Sequence, residues 1–458
     1  MRSKLITVVT AVASVVLVAG VAAADPVQEQ LRLMEQRMAE MEDRLQATSD
    51  ELNTAKATVE EQQTLLSDAG LTEADDAGFR SGVASFFEEV DISGVVAASY
   101  NHRVLGPDDD QVIGGNSGYF RHPNSNAFVL DQAWIIIDKP ATEESRGGMH
   151  IETFAGQSTQ SQNSDSPTGG SSNDPTQFGF ELYTAYASYL APVGDGVQFD
   201  AGLLATPLGA EVVQTNQNFN VTQGLVFGLQ PVTHTGVAMS TQLTDEVGFT
   251  AGVVNDVYNE TNFDVSNGKA GYAQISFAGE SFGMNVGAIV GSDEGSGACA
   301  FTDADDQCNT SVFDVVLTTD PTENVSLWAN FDWVRHFGDS SIDGDAFGIS
   351  GAGRIAITET MGFASRVEYV RAESSFNSSP GSPGTLSEIL SLTSTVDKRL
   401  TDDLVFRAEA RWDRKLDDGP GGGSAIFVNG NNGADNGGSP GSTRENQVVL
   451  LGELFYEF

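Results

Sequence analysis

The chain has 458 residues, a net charge of -41, 40% hydrophobic residues and 50 glycines. With 23 basic against 64 acidic residues it lacks the lysine and arginine clusters that bind nucleic-acid phosphates, so a nucleic-acid partner is excluded. Beyond the N-terminal segment, no run of residues is apolar over the roughly eighteen positions that a membrane-spanning helix requires.

The first residues have the composition of an export signal. Basic residues Arg2 and Lys4 precede an apolar run over residues 5–21, and three alanines at 22–24 then supply the small residues of a cleavage site. We predict a signal peptide over residues 1–24, with an uncleaved membrane anchor as the alternative.

Residues 25–67 are predicted to form an α-helical coiled coil. Apolar residues recur at seven-residue spacing from Leu31 to Leu66, and no glycine or proline interrupts them. A single helix cannot bury such a seam, so we expect a homo-oligomer, with a trimer favoured. The alternative is a solvated single helix that acts as a spacer. An acidic linker follows over residues 68–90.

From residue 91 onward, apolar residues recur at every second position, which is the period of β-strands. The predicted short turns alternate strictly with longer connections rich in Asn, Gly, Ser and Asp, the pattern of a transmembrane barrel with both termini on one side. The predicted fold is therefore an all-β transmembrane barrel of about 16 antiparallel strands over residues 91–458; a soluble secreted sandwich is the alternative. The predicted strands are 91–101, 127–139, 147–155, 178–191, 196–204, 232–242, 246–255, 268–278, 282–291, 311–319, 324–335, 345–357, 360–371, 386–398, 402–415 and 446–458.

The last predicted strand ends the chain on Phe458, with Tyr456 two positions earlier. This ending resembles the closing strand of Gram-negative outer-membrane barrels, whose terminal aromatic residues act as a signal for the assembly machinery. The resemblance implies that Tyr456 and Phe458 form an assembly signal. It also implies an outer-membrane location in contact with lipid and lipopolysaccharide, with the coiled coil in the periplasm. Aromatic residues near strand ends, among them Trp134, are expected in the girdle at the membrane interface.

The middle of the chain resembles a known family over Pro207–Asp256 and residues 267–270. The resemblance is carried by Gly209-Ala210-Glu211, an Asn-rich stretch, Pro231, His234-Thr235-Gly236-Val237 and the strand end Asn255-Asp256. This pattern resembles the beta-barrel porin-2, OmpL-like family, although this chain has Asp256 where that family often has Gly. The N-terminal coil resembles that of some trimeric porins instead. The resemblance implies an outer-membrane porin and does not identify a solute.

Charged residues of both signs share one face of two late strands. A basic residue that faces lipid costs about 2–4 kcal/mol at the membrane midplane, so we expect these side chains to line the lumen. They act either as a selectivity lining or as a paired charge ladder that holds the wall. The predicted pore-lining residues are Arg366, Glu368, Arg407, Glu409, Arg411 and Asp413.

The third external connection, residues 206–231, is longer than a simple turn requires. In many porins the third loop folds inward and narrows the channel, and this loop is similar in position. Glu211 would then lie opposite the arginines, with the remainder of the constriction formed by Asn216, Asn218 and Asn220. The alternative is an external loop that packs on a neighbouring subunit.

Cys299 and Cys308 lie in one connection and are predicted to form a local disulfide in the oxidising cell envelope. The aspartates between them lack the spacing of a calcium-binding loop, so no metal site is expected. The sequence contains no hydrolase, zinc-protease, nucleotide-binding or haem-attachment motif, and we predict neither a cofactor nor an enzymatic activity.

Together these patterns predict a porin that forms a water-filled channel for passive diffusion of small hydrophilic solutes and ions. Acidic residues near the barrel mouths, such as Glu88, Glu89 and Asp108, favour a weak preference for cations. The alternative is a plugged structural barrel that anchors the coiled coil, which would tether the envelope through a periplasmic partner.

Overall fold

The computed structural model describes residues 89–105, 127–159, 179–258, 268–292, 308–338, 344–372, 387–416 and 446–458. All of them belong to one of two compact units, Glu89–Phe458. The predicted signal peptide, the coiled coil and the linker up to residue 88 lie outside the described residues. So do Cys299 and the side chain of Cys308, and with them the predicted disulfide.

Sixteen strands, β1 to β16 in chain order, account for most of the described residues. They are Asp91–Leu105, Ala127–Lys139, Gly147–Gly156, Gly179–Ala191, Val197–Ala205, Thr233–Gln242, Val247–Val254, Ala270–Ala278, Phe282–Ser292, Cys308–Thr322, Val325–Gly338, Gly344–Thr358, Met361–Ala372, Ser387–Arg399, Leu404–Lys415 and Asn446–Glu457. Two short 3-10 helices, Thr215–Gln217 and Phe227–Leu229, lie between β5 and β6. No helix in the described part of the chain is long and apolar enough to cross a membrane.

The strands form one closed antiparallel barrel, in which each strand pairs with its neighbours in the chain and β1 pairs with β16. This confirms the predicted sixteen-stranded barrel and replaces the sandwich alternative. The last residue takes part in closure, because the backbone N–H groups of Gly94 and Phe458 each donate to the other residue's carbonyl, at 3.0 and 3.1 Å. A Cβ atom at position 94 would lie 2.7 Å from the Phe458 ring, so this close approach requires glycine.

The two faces of the barrel differ in polarity. In β16, Leu450 and Leu454 are exposed on the outer surface, whereas Val449 and Glu453 are buried in the interior. The same division recurs around the barrel, where outward positions are mostly apolar and inward positions carry most of the buried charged residues. An apolar exterior around a polar interior is the arrangement that a barrel needs in lipid.

Strand β2 is irregular at one residue. Its register against β1 shifts between Leu130 and Gln132, so Asp131 is an extra residue in a β-bulge. The bulge sets the direction of the residues after it: Trp134 faces the interior, and Ile135 faces outward. Trp134 is only 1% exposed and stacks on Phe154 at a ring-centroid distance of 4.2 Å. Its expected place in the interfacial girdle was therefore wrong.

Candidate functional site: a loop bound inside the barrel

The connection between β5 and β6, residues 206–232, folds into the barrel, and we call it the interior loop. At its neck, the N–H of Thr206 donates to the carbonyl of Val232 at 2.9 Å. Six of its apolar side chains are at most 3% exposed, which is possible only if other parts of the chain cover them. They are Leu208, Val213, Val221, Leu225, Val226 and Leu229.

The interior loop is shaped partly by its own asparagine side chains. The Asn218 amide donates to the carbonyls of Val212 at 2.7 Å and Gln214 at 3.2 Å. Its side-chain oxygen accepts from the N–H of Val212 at 3.0 Å. One buried amide therefore satisfies backbone groups that a loop without regular structure would otherwise leave unpaired.

Buried charges on the barrel wall bind the loop directly, beginning with Arg366 on β13. Its guanidinium contacts Glu211 of the loop at 2.5 Å and Glu368 of its own strand at 2.9 Å, and it donates to the carbonyl of Thr222 at 2.7 Å. Glu211 also accepts from the N–H of Gly224 at 2.7 Å. A Cβ atom at position 224 would lie 2.1 Å from a Glu368 carboxylate oxygen, so the loop can approach this closely only with glycine there.

Glu409 on β15 accepts four hydrogen bonds, three of them from the loop. The donors are the N–H of Val221 at 2.6 Å, the N–H of Thr222 at 3.1 Å and the Thr222 hydroxyl at 2.6 Å. The fourth is the hydroxyl of Thr395 on the neighbouring strand, at 2.7 Å. A buried carboxylate is stabilised by such donors, and each donor is satisfied by the carboxylate.

Two further arginines of β15 bind loop carbonyls. Arg407 donates to the carbonyl of Asn218 at 3.0 Å and, through Nε, to Glu453 of β16 at 2.7 Å. Arg411 donates to the carbonyl of Gln223 at 2.7 Å and to Asp413 at 2.9 Å. Each guanidinium thus binds a wall carboxylate and a loop carbonyl. These partners compensate for the cost of burying the positive charge.

The structure places all six predicted pore-lining residues on the inner face of the barrel, each at most 3% exposed. We call this set the charged wall. Among the four loop residues of the predicted constriction, Glu211 and Asn218 make the contacts above. Asn220 donates to Thr395 at 2.7 Å and Asn216 to Glu457 at 3.2 Å. The selectivity and constriction roles of these residues remain predictions.

Several residues that bind the loop were not singled out from the sequence. Gln132 of β2 donates to the carbonyl of Val213 at 2.8 Å and accepts from the N–H of Thr215 at 3.0 Å. On the other side, Gln230 of the loop donates to Asn330 and Asp332 of β11, both at 2.8 Å. Alternation along β11 does place Asn330 and Asp332 on one face, but it contains no information about a loop partner.

Apolar contacts hold the loop on both of its sides. Val213 and Phe227 pack with Trp134, Phe154 and Tyr183 in one cluster. A second cluster joins four buried apolar loop residues to strands β7 to β14; its members include Leu208, Leu225, Val226, Leu229, Val254, Ile289, Val312 and Val334. The loop therefore occupies part of the barrel's cross-section as a packed element.

The inner face of β2 to β5 carries a second group of charged residues, in which, among the described residues, the carboxylates are not paired with arginine. His150 contacts Asp138 at 2.7 Å and Glu152 at 3.0 Å, and its ring stacks on Tyr186. Asp200 of β5 accepts from Ser188 at 2.6 Å. We call Asp138, Glu152 and Asp200 the acidic wall, because within the described part of these strands no arginine contacts them.

Comparison with known proteins identifies the family of this chain. The family model described as beta-barrel porin-2, OmpL-like, matches residues 89–458. The chain belongs to this family. This porin is accordingly an outer-membrane β-barrel, and its family supports a role as a channel for solutes. No curated protein matches the chain.

Solved structures of other proteins share the barrel fold with this porin at low sequence identity. OmpF of Salmonella typhi, in complex with daunomycin, has 13% identity and a TM-score of 0.52, covering 81% of this chain and 97% of that one. An anion-selective porin of Comamonas acidovorans has 8% identity and a TM-score of 0.51, over 81% and 99%. A trimer form of OmpT from Vibrio cholerae has 12% identity and a TM-score of 0.50, also over 81% and 99%. At such identities the similarity establishes the fold alone.

Proposed function

We propose that this porin is a channel for passive diffusion of small hydrophilic solutes and ions, narrowed by the interior loop. The observation that carries the proposal is the pairing of this loop with the charged wall inside a barrel whose outer surface is apolar. Because Arg366, Arg407, Arg411 and Glu409 all bind loop backbone or side-chain groups, the loop is fixed inside the lumen. Solutes then pass beside the loop, which limits their size. The proposal includes no enzymatic activity.

A weak preference for cations forms part of the proposal. In the network around the loop, the arginines 354, 366, 407 and 411 are outnumbered by the carboxylates of Glu211, Glu368, Asp397, Glu409, Asp413 and Glu453. The acidic wall adds three more carboxylates. A lumen with excess carboxylate raises the local concentration of cations.

We also propose the arrangement of the remaining chain. A signal peptide over residues 1–24 is removed on export, and the coiled coil of residues 25–67 lies in the periplasm and assembles three copies. The heptad spacing supports self-association, and a barrel of similar fold from Vibrio cholerae is described in a trimer form. Tyr456 and Phe458 act in assembly, and lipid and lipopolysaccharide contact the outer surface.

Liposome swelling tests the channel proposal. Purified full-length protein is reconstituted into liposomes, and the rates of swelling in isotonic monosaccharide, disaccharide and trisaccharide are compared. We expect rapid swelling with the monosaccharide and a steep fall with solute size, because the loop narrows the lumen. Equal rates for all three sugars would contradict a narrow passage. Correctly inserted protein that gives no swelling at all would refute the channel.

A further inference from the structure

A cavity of about 290 Å³ lies next to the interior loop, at the end of the barrel that carries the short turns. Loop residues 216–219 form one side, and the ends of β12 to β16 with their turns form the other. Six of the residues in its lining are charged. They are Arg354, Glu359, Asp397, Arg399, Arg407 and Glu457.

These charges are balanced, with as many guanidinium groups as carboxylates. Arg354 and Asp397 neutralise each other through two hydrogen bonds of 2.9 and 2.7 Å. Arg407 is neutralised by Glu453, just outside the lining.

Three lining residues are available for a ligand. Arg399 and Glu359 are exposed, and within the described chain neither side chain makes a hydrogen bond or ion pair. Among the described residues, the Glu457 carboxylate accepts a hydrogen bond only from the amide of Asn216, at 3.2 Å. The cavity therefore offers one free guanidinium and two carboxylates with remaining acceptor capacity. Phe219 and Phe455 add apolar surface to the same lining.

We infer that this cavity binds a small zwitterionic solute of the free neutral amino-acid type. The carboxylate of such a solute pairs with Arg399, its ammonium group pairs with Glu359, and a short side chain lies against the aromatic rings. A zwitterion can pair with free groups of both signs, whereas a single charge of either sign also meets a group of like charge. The volume lies at the lower end of the range for small-molecule sites, which suits a solute of this size. The inference rests on the proposed function, because it names a class of solute for the channel.

Isothermal titration calorimetry on the detergent-solubilised full-length protein tests the site, with L-serine as the zwitterion and acetate and methylammonium as the single charges. We expect L-serine to bind more tightly than either ion. Arg399→Gln and Glu359→Gln should each weaken L-serine binding about fivefold, the upper end for an exposed ion pair. Arg335→Gln, which removes an exposed arginine outside the cavity lining, should leave binding unchanged.

Absence of L-serine binding, equal binding of either single ion, or unchanged binding by both cavity variants would overturn the inference. Single-channel recording separates this result from the proposed function. A conducting barrel that does not bind L-serine refutes the site and leaves the channel. A barrel that binds L-serine without conducting refutes the channel, and the site then stands as a binding site alone.

Discussion

Replacement of Glu409 by alanine is expected to release the interior loop from the wall while the barrel stays folded. The substitution removes the acceptor of four buried hydrogen bonds, three of which join loop and wall. Leaving a buried donor unsatisfied costs about 1–3 kcal/mol, so four such donors correspond to roughly 4–12 kcal/mol if the site stays dry. Water that enters the lumen will solvate some of these donors. We therefore expect a cost nearer about 3–5 kcal/mol, as for other broken buried charge contacts.

Single-channel recording and liposome swelling measure the consequence of this loss. In Glu409→Ala, we expect a larger conductance, more frequent current fluctuations and faster swelling in trisaccharide, because the loop no longer holds one position. Glu409→Gln keeps the side-chain volume but turns one acceptor group into a donor, so its effect should be intermediate. Glu280→Gln, in an exposed short turn, serves as the control.

The folded state of each variant is checked by the shift in electrophoretic mobility between heated and unheated samples. A folded Glu409→Ala barrel with the conductance and sugar size limit of the unaltered protein would refute the reasoning. In that case the hydrogen bonds to Glu409 would not determine the position of the loop.

Three further substitutions test other contacts. Gly224→Ala places a Cβ atom 2.1 Å from a Glu368 oxygen. We expect this overpacking to destabilise the folded protein by about 1–3 kcal/mol and to increase the noise of single-channel currents. Currents as quiet as those of the unaltered protein would contradict the close approach. Gly94→Val introduces a side chain that clashes with the Phe458 ring where β1 pairs with β16. The fraction of folded, heat-modifiable protein should fall. An undiminished folded fraction would contradict this close contact between β1 and β16. Asp200→Asn removes one carboxylate from the acidic wall. The reversal potential in a salt gradient should shift toward a lower preference for cations. An unchanged reversal potential would show that the acidic wall does not contribute to ion selectivity.

Alternation along the chain and the lengths of the connections together predicted the barrel. In β15, for example, Arg407, Glu409 and Arg411 occupy every second position, and a lipid-facing arginine is costly enough to assign their direction without coordinates. The alternation of short and long connections determined the antiparallel order. Both inferences depend on local patterns, which a single sequence contains.

The contacts of the interior loop depend on residues that are distant in the chain. Glu409 binds Val221, 188 positions away, and Arg366 binds Glu211, 155 positions away. A charged side chain in a strand indicates an inward direction, but it does not indicate whether water or a loop will satisfy it. The burial of the charged wall could therefore not be predicted from its spacing.

Strand β2 shows a second limit of pattern reasoning. Its residues are apolar on both faces, so the period of two does not distinguish inside from outside. The bulge at Asp131 then reverses the alternation within the strand. The inward direction of Trp134 depends on this one extra residue, for which the local sequence contains no turn or glycine signal.

The central claim is that this porin contains an open channel narrowed by the interior loop. Single-channel current of the refolded mature protein in a planar bilayer tests it most directly. Stable conductance steps, appearing in groups of three, with a reversal potential that favours cations are the predicted result. Correctly inserted protein that carries no current would contradict the account, because the loop and its wall contacts would then close the lumen.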